Sequence, residues 1–240
     1  MHDPELSLVI PCYNEANRIG PTIEAVLAFL TTKPYASEVI LVLDGCTDDT
    51  ARVLGPFAGR QVNCDVRIVE NPVNRGKGAC TRQGMLAASG QLRIFTDADL
   101  SYPISGIDRF VDELQNADVV IASRETSGIK YATMTRRAIT TLSRFVMDRF
   151  FVRGIPDTQA GFKGFRADVA RDLFGHQRVN GFGFDAEILY VAQMRKYRIV
   201  PVVLSWEDVP GSKVRIARDV PKMALELCAI LANRAQGRYG

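Results

Sequence analysis

Ile94-Phe95-Thr96-Asp97-Ala98-Asp99 is the stretch on which the reading of this chain turns: an apolar run that ends in two carboxylates one residue apart. A strand buried on both faces of a parallel sheet is expected to be apolar. Ionised carboxylates are costly to bury unless they are paired or bind a metal. At the carboxyl end of such a strand, where open α/β sheets place their ligands, Asp-x-Asp makes a site for a hard divalent cation. Such a cation keeps open positions for phosphate oxygens. Asp99 has a second reading, as the N-cap of a helix near Pro103.

Outward from this stretch, short apolar runs at residues 6–11, 39–43, 66–69, 92–96 and 118–122 read as strands. Helical periodicity lies between them at residues 18–30, 48–57 (with Thr47 as N-cap), 78–89 (closed by Gly90) and 107–114. Strands alternating with helices predict an α/β fold with a mostly parallel central sheet and helices on both faces. Beyond Ser123 the pattern changes. A basic amphipathic helix is expected at 135–151, a polar turn at Pro156-Asp157-Thr158-Gln159, a strand at 162–165, a helix at 184–196 and a strand at 199–204. A last helix at 220–232 places Val220, Met223, Ala224, Leu227, Ile230 and Leu231 on one face.

The length of 240 residues suits one domain of this class, with residues 1–123 as a nucleotide-binding half and 124–240 as an acceptor-binding half. A net charge of +3 is too small to argue for nucleic acid, but its distribution is uneven. Between Arg124 and Arg153 seven basic residues face only Glu125 and Asp148, a local +5 that leaves −2 for the rest. That field predicts an anionic partner at one face. Five scattered cysteines without a C-x-x-C pair, and two histidines not arranged as ligands, argue against disulfides and zinc and for a reducing cytosol. The charged start predicts no secretory signal. No apolar run approaches the 18 residues of a membrane-spanning helix.

Three segments fall on the rim that Asp97 and Asp99 occupy. Pro11-Cys12-Tyr13-Asn14-Glu15 ends the first strand and Asp44-Gly45 the second. Glu15 or Asp44 can accept hydrogen bonds from ribose hydroxyls or a base, and Tyr13 can pack on the base. Alone, Asp44-Gly45 is equally a turn. Asn74-Arg75-Gly76-Lys77-Gly78 lacks P-loop spacing, but its glycines let the backbone approach an anion, and Lys77 lies at a helix N-terminus.

As a set, VIPCYNE (9–15), VLDGCTDDT (42–50), NRGKG (74–78) and TDAD (96–99) resemble the inverting family-2 glycosyltransferases of A-type, Rossmann-like fold. The second half resembles the polyprenyl-phosphate sugar synthases, the dolichyl-phosphate glucosyltransferases above all. It does so through ASR (122–124), Arg136, IPDTQAGFKGF (155–165), GFDAEIL (183–189) and SWEDVPGSKV (205–214). The resemblance implies that Pro11, Tyr13, Glu15 and Asp44 hold the nucleoside and that Lys77 contacts the diphosphate. It implies that Asp97 and Asp99 hold Mg²⁺ or Mn²⁺ there, and that Arg124 and Arg136 bind the acceptor phosphate. The catalytic set is then Asp99, Lys77, Arg124 and Arg136.

The implied reaction moves a hexose from a nucleotide sugar to a polyprenyl phosphate. UDP-glucose is the favoured donor and GDP-mannose the other candidate. The protein is expected to act as a peripheral protein on the cytosolic face of a membrane. A phosphate acceptor is already anionic and needs no base, so Asp157, Asp185 and Glu187 are read as structural or positioning groups. Trp206 is read as packing or as a wall near the sugar. Two departures stand out. Ser101 replaces the Gln that mannosyl relatives carry two residues after the second Asp, which leaves the third metal contact open. The membrane spans of other relatives have no counterpart here. The open alternatives are a soluble transferase of the same fold acting on a saccharide or small polar acceptor, and a non-catalytic nucleotide-sugar-binding protein.

Overall fold

The computed structural model describes residues 4–124, 151–155, 157–207 and 216–240. The expected basic helix at 135–151 except its last residue, Phe151, with Arg136 in it, and the SWEDVPGSKV segment beyond Glu207 lie outside them. Strands β1 (Leu6–Cys12), β2 (Ser37–Asp44), β3 (Gly59–Gln61), β4 (Cys64–Asn71), β5 (Leu92–Thr96), β6 (Val119–Arg124), β7 (Phe162–Arg166) and β8 (Ile199–Leu204) form one sheet. Their order is β3-β4-β2-β1-β5-β7-β6-β8. The helices are α1 (Ile19–Leu30), α2 (Thr50–Leu54), α3 (Lys77–Ala87), α4 (Gly106–Glu113), α5 (Ala167–His176), α6 (Phe184–Met194) and α7 (Ile216–Ala235).

The central strands are parallel, as their continuous apolar runs predict. β1 pairs with β2 and β5, β2 with β4, and β6 with β8, all in parallel. Alternate side chains feed two cores. Leu8, Ile10, Leu41 and Ile94 meet Ile19, Ile23 and Val26 of α1 and Ile107 and Phe110 of α4. Val9, Ile40, Val42 and Phe95 meet Met85 of α3, Leu173 and Phe174 of α5, Phe184 and Leu189 of α6 and Ile230 of α7.

Two strands run the other way. β3 is a short antiparallel edge on β4, and β7 is inserted antiparallel between β5 and β6. The two halves of the sequence therefore share one sheet. Reversal also brings the amino end of β7, and the turn that feeds it, to the rim where β5 and β6 end. Strand β3 and helix α5 have no counterpart in the periodicity reading. β3 has only three residues, and α5 buries a stripe of just Val169, Ala170, Leu173 and Phe174. The expected helix at 48–57 divides into α2 and a 3₁₀ turn at Gly55–Phe57. Asp49, not Thr47, is at its N-cap position, without a side-chain cap bond, and Asp48 Oδ1 takes both the Thr50 amide (3.0 Å) and hydroxyl (2.5 Å).

At the opposite, amino end of the sheet Glu38 is buried, with only 3% exposed. It accepts from Ser7 Oγ at 2.6 Å, the Ser89 amide at 2.6 Å, Ser89 Oγ at 2.8 Å and Arg67 at 3.0 Å. Burial is the largest single influence and would raise its pKa, but these donors together outweigh it and hold the carboxyl below its ordinary value. A depressed acid stabilises the fold above its unfolded pKa and ceases to do so as pH falls through its folded pKa. Glu38→Gln is accordingly expected to cost about 2 kcal/mol at pH 7, the scale of hydrogen bonds to a charged group. The deficit should shrink on acidification below about pH 4. Urea denaturation at pH 7 and pH 3.5 checks this, and an equal deficit at both would refute it.

Candidate active site

The loops at the carboxyl rim are stitched to one another in chain order. Asn14, in a left-handed conformation at φ 55°, accepts from the Thr47 amide at 2.8 Å. The Glu15 amide donates to Thr50 Oγ1 at 2.7 Å and the Ala16 amide to Asp48 at 3.1 Å. The segment after β1 is thus fastened to the segment after β2. Asp44, buried at the end of β2, accepts from the amides of Arg75 (2.6 Å) and Gly76 (2.9 Å). Gly76 sits at φ 98°, which only glycine adopts at ease, and this turn launches α3 with Lys77 in its first position. Lys77 Nζ then reaches Asp97 at 2.6 Å. The expectation that Asp44, Glu15 and Tyr13 lie on one rim holds. Both oxygens of Asp44, however, are engaged with the Arg75-Gly76 backbone, and Glu15 pairs with Arg18 at 2.7 Å. Tyr13 is exposed.

Asp97 and Asp99 leave the end of β5 with 35% and 26% of their side chains accessible. Between them, the Ala98 carbonyl is held by Thr22 of α1 at 2.8 Å. Asp99 does not cap a helix. Its Oδ1 accepts from the Ser101 amide (3.0 Å) and hydroxyl (2.7 Å) in a local turn, and Oδ2 lies 4.0 Å from Arg18. Ser101 therefore aims Asp99. Burial works against charge on Lys77, but the carboxylates of Asp97, Asp185 and Asp99 outweigh it and hold the ammonium above the ordinary lysine range. Among the described residues no third Asp, Glu, His or Cys joins Asp97 and Asp99. Two accessible carboxylates beside one lysine fit a hard divalent cation that would keep further coordination positions open.

The second half closes the site. Arg124, at the end of β6, makes two bonds to Asp157, Nε at 2.6 Å and Nη2 at 3.2 Å, and its guanidinium lies 5.1 Å from the centre of the Trp206 ring. Arg124 thus reaches the rim already paired. Arg136 falls outside the described residues. Further along the Asp157 turn, Gly161 packs so tightly on Asp97 that any side chain there would overlap the carboxylate. Asp185 and Glu187 are buried. Asp185 pairs with Lys163, and Glu187 accepts from the amides of Arg178 and Val179 and from the Tyr239 hydroxyl. Lys163, Asp48 and Thr50 escaped the sequence reading. A lone lysine among phenylalanines in FKGF was the available signal for the first.

Helix α7 corrects the expected apolar face. Ile230 is buried and Met223 and Leu227 are partly covered, whereas Ala224 and Leu231 point outward with Leu225, which is 71% exposed. Glu226 accepts from the Gly183 amide at 2.8 Å and Met223 Sδ meets Gln159 at 3.4 Å, so the inner side of α7 rests against the site's own turns.

Residues 7–174 match the protein family described as Glycosyl transferase family 2. The dolichyl-phosphate beta-glucosyltransferase of Drosophila melanogaster is 34% identical over 225 residues, covering 88% of this chain and 69% of that protein. The enzyme of that name from Saccharomyces cerevisiae is 32% identical over 255 residues, covering 98% and 76%. Among solved structures, glucosyl-3-phosphoglycerate synthase of Mycobacterium tuberculosis, crystallised with Mn²⁺, UDP and glucosyl-3-phosphoglycerate, superposes with a TM-score of 0.65 at 19% identity. The match covers 96% of this chain and 80% of that one, and at this identity it establishes the fold.

Gly161→Ala tests the packing against Asp97. The added methyl must displace the Asp97 carboxylate or the turn. The expected result is a folded protein whose Mn²⁺ affinity falls by about tenfold or more, read by calorimetry. Unchanged affinity would show that the Gly161 wall has slack.

Proposed function

The chain belongs to glycosyl transferase family 2, and from that premise we propose that it transfers glucose from UDP-glucose to dolichyl phosphate or a related polyprenyl phosphate. The observation that carries this is the meeting of Lys77, Asp97 and Asp99 with Arg124, across the Asp157–Gly161 turn, on one rim. The names of the relatives support the donor sugar and the lipid acceptor.

In this reading Pro11, Tyr13, Glu15 and Asp44 shape the nucleoside end of the cleft, Asp44 by fixing the Arg75-Gly76 backbone. Asp97 and Asp99 hold Mg²⁺ or Mn²⁺, which, when bound, neutralises charge on the departing diphosphate. Lys77 donates to the same leaving group, a fixed positive charge where negative charge develops. Arg124, with Arg136, orients the acceptor phosphate, for which a planar fork of donors is suited. An oxygen of that phosphate attacks C1 of the sugar, the bond from C1 to the diphosphate breaks, and the configuration inverts. The attacking oxygen carries no proton to remove. The burial of Asp185 and Glu187 in hydrogen-bonded pairs supports a mechanism that needs no carboxylate base.

A lipid acceptor whose phosphate lies at the bilayer surface, together with a nucleotide-sugar donor, supports a peripheral enzyme at the cytosolic surface of a membrane. No described helix is long and apolar enough to cross one. The outward side of α7, with Ala224, Leu225, Cys228, Leu231 and Ala232 exposed and Arg234 at its end, is suited to lie in the interface beside the site.

A donor panel of UDP-glucose, GDP-mannose, UDP-GlcNAc and UDP-galactose against a short polyprenyl phosphate, followed by release of nucleoside diphosphate, is expected to single out UDP-glucose. Asp99→Asn should reduce turnover by about 10²-fold, the scale of losing one electrostatic stabiliser, and EDTA should abolish it. Full turnover in EDTA would overturn the metal assignment, and transfer to a soluble saccharide alone would overturn the acceptor. Leu225→Glu with Leu231→Glu is expected to weaken binding to anionic vesicles, by co-sedimentation, with an unchanged circular dichroism spectrum. Wild-type protein that ignores such vesicles at low salt would refute the membrane reading.

A further inference from the structure

Lys163 has no exposed surface, yet it brings an amine into the middle of the sheet, where it meets the Asp185 carboxyl. It is paired in register with Phe95 on one side and Ile121 on the other, and its ammonium lies 5.5 Å from the centre of the Phe95 ring. Its neighbours Phe95, Phe165, Phe174 and Phe184 form an aromatic cluster in which an apolar side chain is the default. A buried ion pair adds little net stability over an apolar pair of similar volume. The reason for this one therefore has to be sought in what it holds in place.

The Lys163 ammonium makes two bonds. One is to Asp185, in the first turn of α6, where the helix dipole favours a carboxylate. The other is to the Ala160 carbonyl at 2.5 Å, three residues back along the chain. Ala160 precedes Gly161, whose backbone walls Asp97. The same turn begins with Asp157, the partner of Arg124. On the α6 side, the loop that leads into Asp185 rests on the start of α3. The Ala79 amide donates to the Asn180 carbonyl at 3.1 Å, and Gln177 Nε2 donates to the Gly78 carbonyl at 2.9 Å. The pair thus joins the turn that sets Asp97 and Arg124 to the loop that sets Lys77.

Building on the proposed transfer reaction, we propose that Lys163 and Asp185 are positioning residues, a buried ion pair that locks the Asp157–Gly161 turn to the amino end of α6 and so fixes the spacing between the donor-diphosphate group (Lys77, Asp97) and the acceptor arginine (Arg124). Neither touches substrate. Their effect reaches the reaction through the distance between two sites, and displacement of reacting groups by about 1 Å costs about 10²-fold in rate.

The test separates holding the fold from holding the site. Lys163→Met leaves Asp185 buried without a partner and is expected to lower the melting temperature and turnover together. Lys163→Met with Asp185→Leu removes both charges at similar volume. It is expected to recover the melting temperature of the wild type while kcat stays down by about 10–10²-fold, with acceptor KM raised, and while Mn²⁺-dependent UDP or GDP binding, by calorimetry, stays weakened. Lys163→Leu with Asp185→Met, a second neutral pair, takes its place should the first double variant fold poorly, and the same split between melting temperature and turnover is expected of it. Recovery of kcat and nucleotide binding along with the melting temperature would overturn the proposal. If the wild type itself fails to use polyprenyl phosphate, the reading of the reaction falls. The calorimetric comparison still decides the positioning role.

Discussion

An ionised carboxylate placed at the end of a buried strand has to be met by positive charge or by ligand, and the arrangement around Asp97 follows from that requirement. Lys77 meets it from one side at 2.6 Å. Lys77 can do so only because Asp44 holds the amides of Arg75 and Gly76 and thereby fixes where α3 begins. Gly161 closes the other side without a side chain. Each contact belongs to a different element, so the position of one carboxylate ties together β2, the loop before α3, β5 and the turn before β7.

The same constraint explains why so many polar residues at this rim are turned toward each other. Thr50 and Asp48 accept from the amides of Glu15 and Ala16, and Asn14 accepts from the Thr47 amide, so the loops after β1 and β2 are fastened together. Ser101 aims Asp99. A site built from charged groups gains from having them already oriented, because reorientation then adds nothing to the barrier. At the far end of the sheet Glu38 satisfies its own charge with four donors and has no part in the site.

The antiparallel β7 is the element that makes the cleft two-sided. Had it run parallel, the Asp157–Gly161 turn would sit at the opposite end of the sheet, about 16 Å away for a five-residue strand, and Arg124 would lose its partner. Reversal brings Asp157, Gln159 and Gly161 to Arg124, Met223 and Asp97 respectively. Helix α7 is drawn to the same place by Glu226, so its outward apolar side flanks the mouth of the site.

Local chemistry determined much of this from the sequence alone. Short apolar runs alternating with helical periodicity fit the strands of a parallel sheet, and so β1, β2, β4, β5, β6 and β8 were legible, as was the rim holding Asp44, Lys77, Asp97 and Asp99. The family signature was legible too, because its motifs lie at the ends of those strands. Only the tertiary structure decided the direction and insertion of β7, since a five-residue run reads the same whichever way it pairs. Only the structure showed that Asp44 holds backbone, that Arg124 arrives paired with Asp157, and that Lys163 is buried against Asp185, 22 residues away. It alone divided the apolar residues of α7 between body and solvent. These are contacts between elements distant in the chain, and no periodicity within one element can encode which partner will lie across from it.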